Sequence, residues 1–454
     1  MNMPNYFLAD LPPAATLSAA MIGEACQALK RNRERYLINR PTHSLLNVLS
    51  HVAKNWLQPD DPFRKMTLEQ GPAATGFSPA TLAAGLDAFF KELTIENFTT
   101  LLEQDLGHPH RLDQIVSSDA EQMSKRGAIA TAPELLVHFT AGNLPVPALM
   151  SIVLGVLVRS AQFVKCATGA ALLPRLFAHS LYHAEPKLGA CLEIAEWPGA
   201  DHTLADALFN EADCVTATGS DSTLAAISLR LPANTRLLRY GHRVSFAFVA
   251  SRVLSGLNSR KIVGRAAADV VAWNQLGCLS PHVIYVEEGG GLSAELFAAA
   301  LAEELERREA AEPRGTLPVE TAAAIASRRS IYEVRAAHSP DTRHWSSRNS
   351  TAWTVVYEAD PRFQLSCLNH FIYVKGVKNL TEALHSSDSV RGKVSTVGLA
   401  APEDQAQGLA TTLARWGVAR VCPLGQMQAP PLTWRHDGRP ALGDLVTWTD
   451  YEME

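Results

Sequence analysis

The sequence predicts an α/β protein in which a helical N-terminal region precedes two units built on parallel strands. Three observations carry that reading. Over roughly the first 125 residues, apolar side chains recur at three- and four-residue spacing, the mark of amphipathic helices. From Pro133 onward, short apolar runs alternate with helical patterns, the order expected of βαβ units. A chain of 454 residues also exceeds what one hydrophobic core comfortably supports.

Composition narrows the class. With 47% apolar and 19% charged residues the chain reads as a soluble globular protein, and a net charge of -5 speaks against a general nucleic-acid binder. Cys26, Cys166, Cys191, Cys214, Cys278, Cys367 and Cys422 are scattered, with no C-x-x-C pair. Such dispersal points to reduced thiols in a cytoplasmic chain and to neither a disulfide framework nor a zinc cage. The N-terminal segment lacks a basic stretch leading into an apolar one, so no secretory leader is expected. The most apolar run, Leu144 to Val158, is 15 residues long and contains two prolines, short of the ~20 needed to cross a bilayer. It predicts a buried helix.

In chain order, Ala19 to Ile38 and Leu82 to Leu106 carry helical periodicity, separated by turn-rich stretches such as Gln58 to Pro62. His43, His51, His108 and His110 fit no common metal spacing, and no metal site is expected. LLVHFTAGN reads as a strand ending near Gly142-Asn143, a helix follows from about Pro147 to Arg159, and AQFVKC is the next strand, with Lys165 at its end. Ligands of such units bind at the carboxyl ends of the strands, where Asn143 and Lys165 fall. Taken alone, Asn143 also suits a turn or cap and Lys165 a solvated surface.

Further on, a strand at Cys214 to Thr216 feeds the Gly219-Ser220 turn and a helix. Free N–H groups at a helix start suit a pyrophosphate, although the G-x-G-x-x-G fingerprint is absent. TRLLRYGHRVSFAFVAS reads as strand, Gly241 turn and strand, and a helix from about Gly256 to Trp273 leads to NQLGCLSPHVIYV. Cys278 lies there between a polar Asn274-Gln275 pair and a strand, with Gly277 allowing close approach to the backbone. A thiol so placed is a candidate nucleophile, while the plainer reading of the stretch alone is a cysteine packed as a small hydrophobe. Helices at Val319 to Ala337 and Glu403 to Trp416, strands at Trp353 to Tyr357 and Phe371 to Val374, and a final β-α-β pattern complete the chain. The tail WRHDGRPALGDLVTW either lines the mouth of a site or wraps the surface.

The ordered set Gly142-Asn143, Lys165, Gly219-Ser220, Gly241, Asn274-Gln275 and Cys278 resembles the aldehyde dehydrogenase superfamily. HFTAGNLPVPAL, NQLGCLSPHVIYVE and WRHDGRPALGDLVTWTD resemble its LuxC-type acyl-CoA reductases. The resemblance covers residues from about 130 onward. It implies an aldehyde dehydrogenase-like fold: a helical region over 1–125, a Rossmann-like dinucleotide-binding domain over 126–255, a catalytic domain over 256–425 and a C-terminal segment over 426–454.

The same resemblance implies roles. Cys278 would attack the acyl carbonyl, and the Asn143 amide with the Cys278 N–H would hold the oxyanion. Lys165 and Thr168 would meet the adenosine ribose, and Gly219 and Ser220 the pyrophosphate. The substrate implied is an acyl-CoA or acyl-carrier thioester, with an acyl-protein synthetase or transferase as a possible partner and a homo-oligomer as the assembly.

Two departures from the superfamily pattern matter. Where aldehyde-oxidising members carry Glu-Leu-Gly-Gly-Lys, this chain has Arg239-Tyr240-Gly241-His242-Arg243, so the water-activating glutamate is missing. Three positions after Lys165 stands Thr168, where NAD-preferring relatives often carry a glutamate, which removes a barrier to NADPH while leaving NADH possible. The reaction expected is NADPH-dependent reduction of a fatty acyl thioester to the aldehyde through an acyl-cysteine. The alternatives are an NAD(P)-dependent aldehyde dehydrogenase working oxidatively and a non-catalytic dinucleotide-binding scaffold. His242 and Arg175 are candidates for proton transfer and for the 2′-phosphate, each with a plainer surface role beside it. The Glu-x-Phe-Gly-Pro motif that holds the nicotinamide ribose is not evident near ADPRFQLSCLNHF.

Overall fold

A computed structural model describes residues 3–12 and 14–454. The helical region contains α1 (Ala19–Tyr36), α2 (Thr42–Trp56), α3 (Pro62–Thr75), α4 (Pro79–Glu92), α5 (Ile95–Leu106) and the short α6 (Asp119–Met123). Each start follows local chemistry: Ser18, Asp61, Ser78 and Thr94 accept N–H groups of the first turns of α1, α3, α4 and α5. The single helix expected over Leu82 to Leu106 is two. Leu93 leaves helical geometry (ψ 64°) and the Thr94 hydroxyl takes the amide of Asn97, starting a new helix where periodicity alone shows none.

The next unit runs β1 (Arg126–Thr131), β2 (Leu135–Phe139), α7 (Val146–Leu157), β3 (Ala161–Cys166), α8 (Leu172–Ala184), α9 (Pro186–Gly189), β4 (Leu192–Glu196), α10 (His202–Phe209), β5 (Cys214–Thr218), α11 (Asp221–Arg230) and β6 (Arg236–Tyr240). Five strands form a parallel sheet in the order β4-β3-β2-β5-β6. The order reverses between β2 and β5, so the crevice beyond their carboxyl ends is where a ligand fits. Gly155 of α7 is required by packing, since a Cβ there would lie 2.3 Å from the amide of Gln162 on β3.

The last unit holds β7 (Val244–Val249), α12 (Gly256–Val271), β8 (Pro281–Glu287), α13 (Ala294–Ala311), α14 (Val319–His338), β9 (Thr342–Ser346), β10 (Thr354–Glu358), β11 (Phe371–Val377), α15 (Leu380–Ser386), β12 (Val394–Ala400), α16 (Glu403–Trp416), β13 (Arg420–Pro423) and β14 (Thr447–Glu452). Seven strands order as β13-β12-β7-β8-β11-β10-β9, with only β9 antiparallel to its neighbour.

Gly241 is therefore no hairpin turn, because β6 and β7 lie in different sheets. The change of sheet falls at 241–243 rather than at the expected 255. There β7 pairs with β12 and β8, and all six of its residues are buried, as suits an interior strand of a parallel sheet covered on both faces. β14 returns to pair antiparallel with β1, from Arg126 opposite Glu452 to Thr131 opposite Thr447.

Candidate active site

After α12 the chain makes three successive left-handed residues, Trp273, Asn274 and Gln275 (φ 51°, 50° and 62°). Each costs of order 1–3 kcal/mol for a non-glycine residue, so the surroundings must hold them. The Gln275 amide donates to the carbonyls of Pro281 (2.8 Å) and Phe371 (2.9 Å). The Trp273 ring lies against Gly85 of α4, where a Cβ would come within 1.9 Å of it, and meets Phe77 edge-on. Gly277 fills the role expected of it: a Cβ there would sit 2.8 Å from the Gln428 amide and 3.2 Å from Leu144. Ser245 of β7 donates to the Cys278 carbonyl at 2.7 Å, and Gln428 donates to Ser280. The cysteine loop is thus clamped from the seven-stranded sheet, from the helical region and from the C-terminal tail.

Cys278 is half-buried and faces a cavity of about 170 Å³. One wall comes from α7 and the segment ahead of it (Leu144, Val146, Met150, Leu154), the roof from Pro430, Pro431, Leu432 and Trp434 of the tail, and the floor from His138 and Thr216 of the five-stranded sheet. The lining is mostly hydrocarbon. Burial pushes the Cys278 thiol up to about 12, Asp437 adds to the rise and Arg243 opposes it. The resting group is the thiol, and nucleophilic attack requires a proton acceptor.

A second cleft, of about 390 Å³, opens at the carboxyl ends of the five-stranded sheet. Lys165, Thr168 and Gly219 line it together with Trp197, Phe209 and Thr223. Lys165 is 7% exposed, its Nζ lies 5.6 Å from the Trp197 ring, and burial lowers its pKa. Ser220 stands at the rim as the N-cap of α11, its hydroxyl accepting the amide of Thr223 at 3.2 Å. These residues suit a dinucleotide: an apolar slot for a flat base, a sunken cation, and the open amides of a ten-residue helix for a pyrophosphate. The cleft and the thiol cavity share Thr218 at the end of β5. Asn143 lines neither of them; it borders a third cavity with Gly142, Leu144 and Thr168, and its amide donates to the Leu276 carbonyl, two residues before Cys278, at 3.0 Å.

The model of the acyl-CoA reductase (LuxC) family matches residues 37–448. The chain belongs to that family. It is an oxidoreductase of the acyl-CoA reductase type. Among relatives, it is 23% identical over 431 residues to the long-chain acyl-protein thioester reductase of Aliivibrio fischeri, covering 91% of this chain and 83% of that one. Its identity to the Photorhabdus laumondii protein of the same name is 22% over 418 residues, covering 90% and 82%. The fold is shared with bifunctional proline utilization A (TM-score 0.73, 13% identity), of which 96% of this chain spans 45%. It is shared as well with the NADP-dependent glyceraldehyde-3-phosphate dehydrogenase of Bacillus halodurans complexed with NADP (TM-score 0.69, 15% identity, 97% and 92% covered). The aldehyde dehydrogenase-like architecture expected from the motifs is the one observed.

In this acyl-CoA reductase, two candidates raised by the sequence lie away from the cavities. His242 is exposed and its backbone amide is tied to Asp221. Arg175 is held by the Ala9 carbonyl and Asp10. Other groups were not visible in the sequence. Glu196 anchors the Thr168 loop by accepting the amides of Gly169 (2.8 Å) and Ala171 (3.2 Å), so a carboxylate carried on the neighbouring strand β4 stands beside that loop. Gln428, Trp434 and His436 close the thiol cavity from the tail, whose polar, turn-rich character was the only signal of that role.

No helix of the described residues is long and apolar enough to cross a membrane.

Proposed function

We propose that this chain reduces a fatty acyl thioester to the aldehyde in two steps, with Cys278 carrying the acyl group between them. The observation that carries this reading is the position of Cys278 in an apolar cavity that meets the dinucleotide cleft at Thr218. The cavity takes a hydrocarbon chain, and the thiol attacks its carbonyl carbon. The remaining N–H of the Asn143 amide and the Cys278 backbone N–H stabilise the oxyanion; preorganised donors of this kind contribute about 3 to 4 kcal/mol to the barrier. Bound in the cleft, NADPH, with NADH as the alternative, supplies the hydride. Lys165 and Thr168 hold the ribose end, and Gly219 and Ser220 admit the pyrophosphate to the start of α11. The reduced adduct is a thiohemiacetal on Cys278, whose collapse releases aldehyde and restores the sulfur.

Absence of a glutamate across Arg239 to Arg243 and the tail roof over the cavity both favour reduction over hydrolysis of the acyl-cysteine. The acyl donor is an acyl-CoA or acyl-carrier thioester, or an acyl-protein synthetase or transferase partner. We further propose a homo-oligomer, supported by the β1–β14 ribbon, on which Trp448 and Tyr451 are 45% and 52% exposed. A cytoplasmic setting is proposed from the seven unpaired thiols.

The test is incubation with labelled acyl-CoAs of graded length and mass spectrometry of the intact and digested protein, followed by NADPH or NADH and capture of the aldehyde. An adduct on Cys278 that is discharged as aldehyde is the expected result. A C278A variant that still makes aldehyde would overturn it.

A further inference from the structure

The C-terminal turn brings one uncommitted imidazole into the thiol cavity. Two histidines line that cavity, His138 and His436. His138 has no free nitrogen: Nδ1 bonds Thr216 Oγ1 at 2.6 Å and Nε2 bonds Gln162 Oε1 at 3.0 Å. Gln162 uses its amide N–H on the Ile152 carbonyl, so His138 carries its proton on Nε2 and receives the Thr216 hydroxyl at Nδ1. His436 differs. Its ring is held by faces alone, stacked on Tyr240 at 4.6 Å and packed against Trp434 at 4.7 Å, and among the described residues no hydrogen bond holds either nitrogen.

The turn that presents His436 is fixed in place. Asp437 adopts a left-handed conformation (φ 54°) and its carboxylate, 3% exposed, pairs with Arg243 at 3.1 Å. Arg243 also donates to the Gly392 carbonyl at 2.7 Å. His436 and Cys278 line the same cavity, and of the pair beside the imidazole Asp437 raises the pKa of the thiol while Arg243 lowers it. Burial, with Arg439 and Arg243, keeps the imidazole neutral against the pull of Asp437. Tyr240 is the remaining titratable group of that wall, and burial drives it upward, away from use as a base near neutrality.

We propose that His436 accepts the Cys278 proton during acyl transfer, an inference that rests on the reading of Cys278 as acyl carrier. The imidazole nitrogen takes the Sγ proton as the sulfur–carbon bond forms at the acyl carbonyl. The bond from that carbon to the leaving sulfur then breaks, and the imidazolium returns the proton to the departing thiolate. One thioester is exchanged for another, with no change in oxidation state.

The test uses the full chain without any nicotinamide. Acylation of Cys278 by an acyl-CoA is followed by quenched-flow mass spectrometry across pH in wild type, H436Q and H436N, with thermal melts to establish folding. Wild type should already be level by neutral pH. Both variants should acylate about 100-fold more slowly there. Their rates should climb about tenfold per pH unit, as the thiolate alone then governs the rate. Equal rates in wild type and variants would overturn the proposal. So would slower variants that keep the wild-type pH profile, since that marks a packing role. No adduct on Cys278 in the wild type itself would instead remove the acyl-carrier reading beneath it.

Discussion

The backbone amide of Asn369 donates to the carbonyl of Asn274 at 3.0 Å, joining two runs of left-handed residues. Trp273 to Gln275 is one run, and Leu368 to His370 (φ 58°, 55° and 65°) is the other. His370 Nε2 adds a bond to the Val271 carbonyl at 3.3 Å. Two strained segments from distant parts of the chain therefore brace each other directly behind the loop that carries Cys278, which fixes where the thiol can point.

Gln275 should be the most sensitive side chain of that brace. Replacing it with leucine leaves the Pro281 and Phe371 carbonyls buried and unpaired. A loss of roughly 2 to 5 kcal/mol is expected for two such groups, read from urea unfolding, together with a slower acylation of Cys278.

Gly85→Ala tests the same loop from the helical side. The added carbon overlaps the Trp273 ring, so α4 or the tryptophan must move. Overpacking of this kind costs typically 1 to 3 kcal/mol, and G85A should melt several degrees lower with reduced alkylation selectivity at Cys278.

Asn143→Ala separates binding from chemistry. Asn143 is exposed and contributes little to stability, whereas the reading proposed above gives its amide a role at the oxyanion. A fall in kcat of about 100-fold or more with little change in KM and in melting temperature is expected from steady-state assays.

Thr168→Glu places a second carboxylate beside the one at Glu196. NADPH, with its 2′-phosphate, should suffer more than NADH, and the ratio of their kcat/KM values should drop at least about tenfold. Equal effects on both nucleotides would separate Thr168 from the ribose.

Glu193 makes stability depend on pH. One of its oxygens accepts the amides of Leu8 (2.7 Å) and Ile194 (3.0 Å), and burial lifts its carboxyl from about 4.5 to about 8. A carboxyl raised in the fold binds its proton more tightly there than in the unfolded chain, so stability is greatest below about 4.5 and declines as pH rises toward 8. Glu193→Gln retains the accepting oxygen without the charge. Its stability, followed by denaturant melts across that window, should not share the wild-type decline attributable to this group.

Local chemistry made most of the architecture readable. Caps such as Thr94 and buried runs such as Val244–Val249 obey rules of neighbouring residues, even where periodicity alone merged two helices or placed a strand in the wrong sheet. Order along the chain likewise singled out Asn143, Lys165, Gly219 and Cys278 as candidates, since Lys165 lies near the end of β3, Gly219 joins β5 to α11, and Asn143 and Cys278 sit in the loops after β2 and before β8. What escaped were partners brought in from far away. Nothing near Lys165 in sequence announces Glu196, and nothing near Cys278 announces Gln428 or His436, since those contacts depend on how sheets and tail are stacked.

The lid over the cavity is stitched down at two places, by the Gln428 contact with Ser280, 148 positions apart in the chain, and by the ladder of β14 on β1. Between these stitches lie the aromatic and proline side chains that shut out water. A folding intermediate with both sheets formed but this strip undocked would leave the sulfur bare, exposed to oxidants and to hydrolysis of anything attached to it. Completion of the fold and protection of the Cys278 sulfur are in this protein the same event.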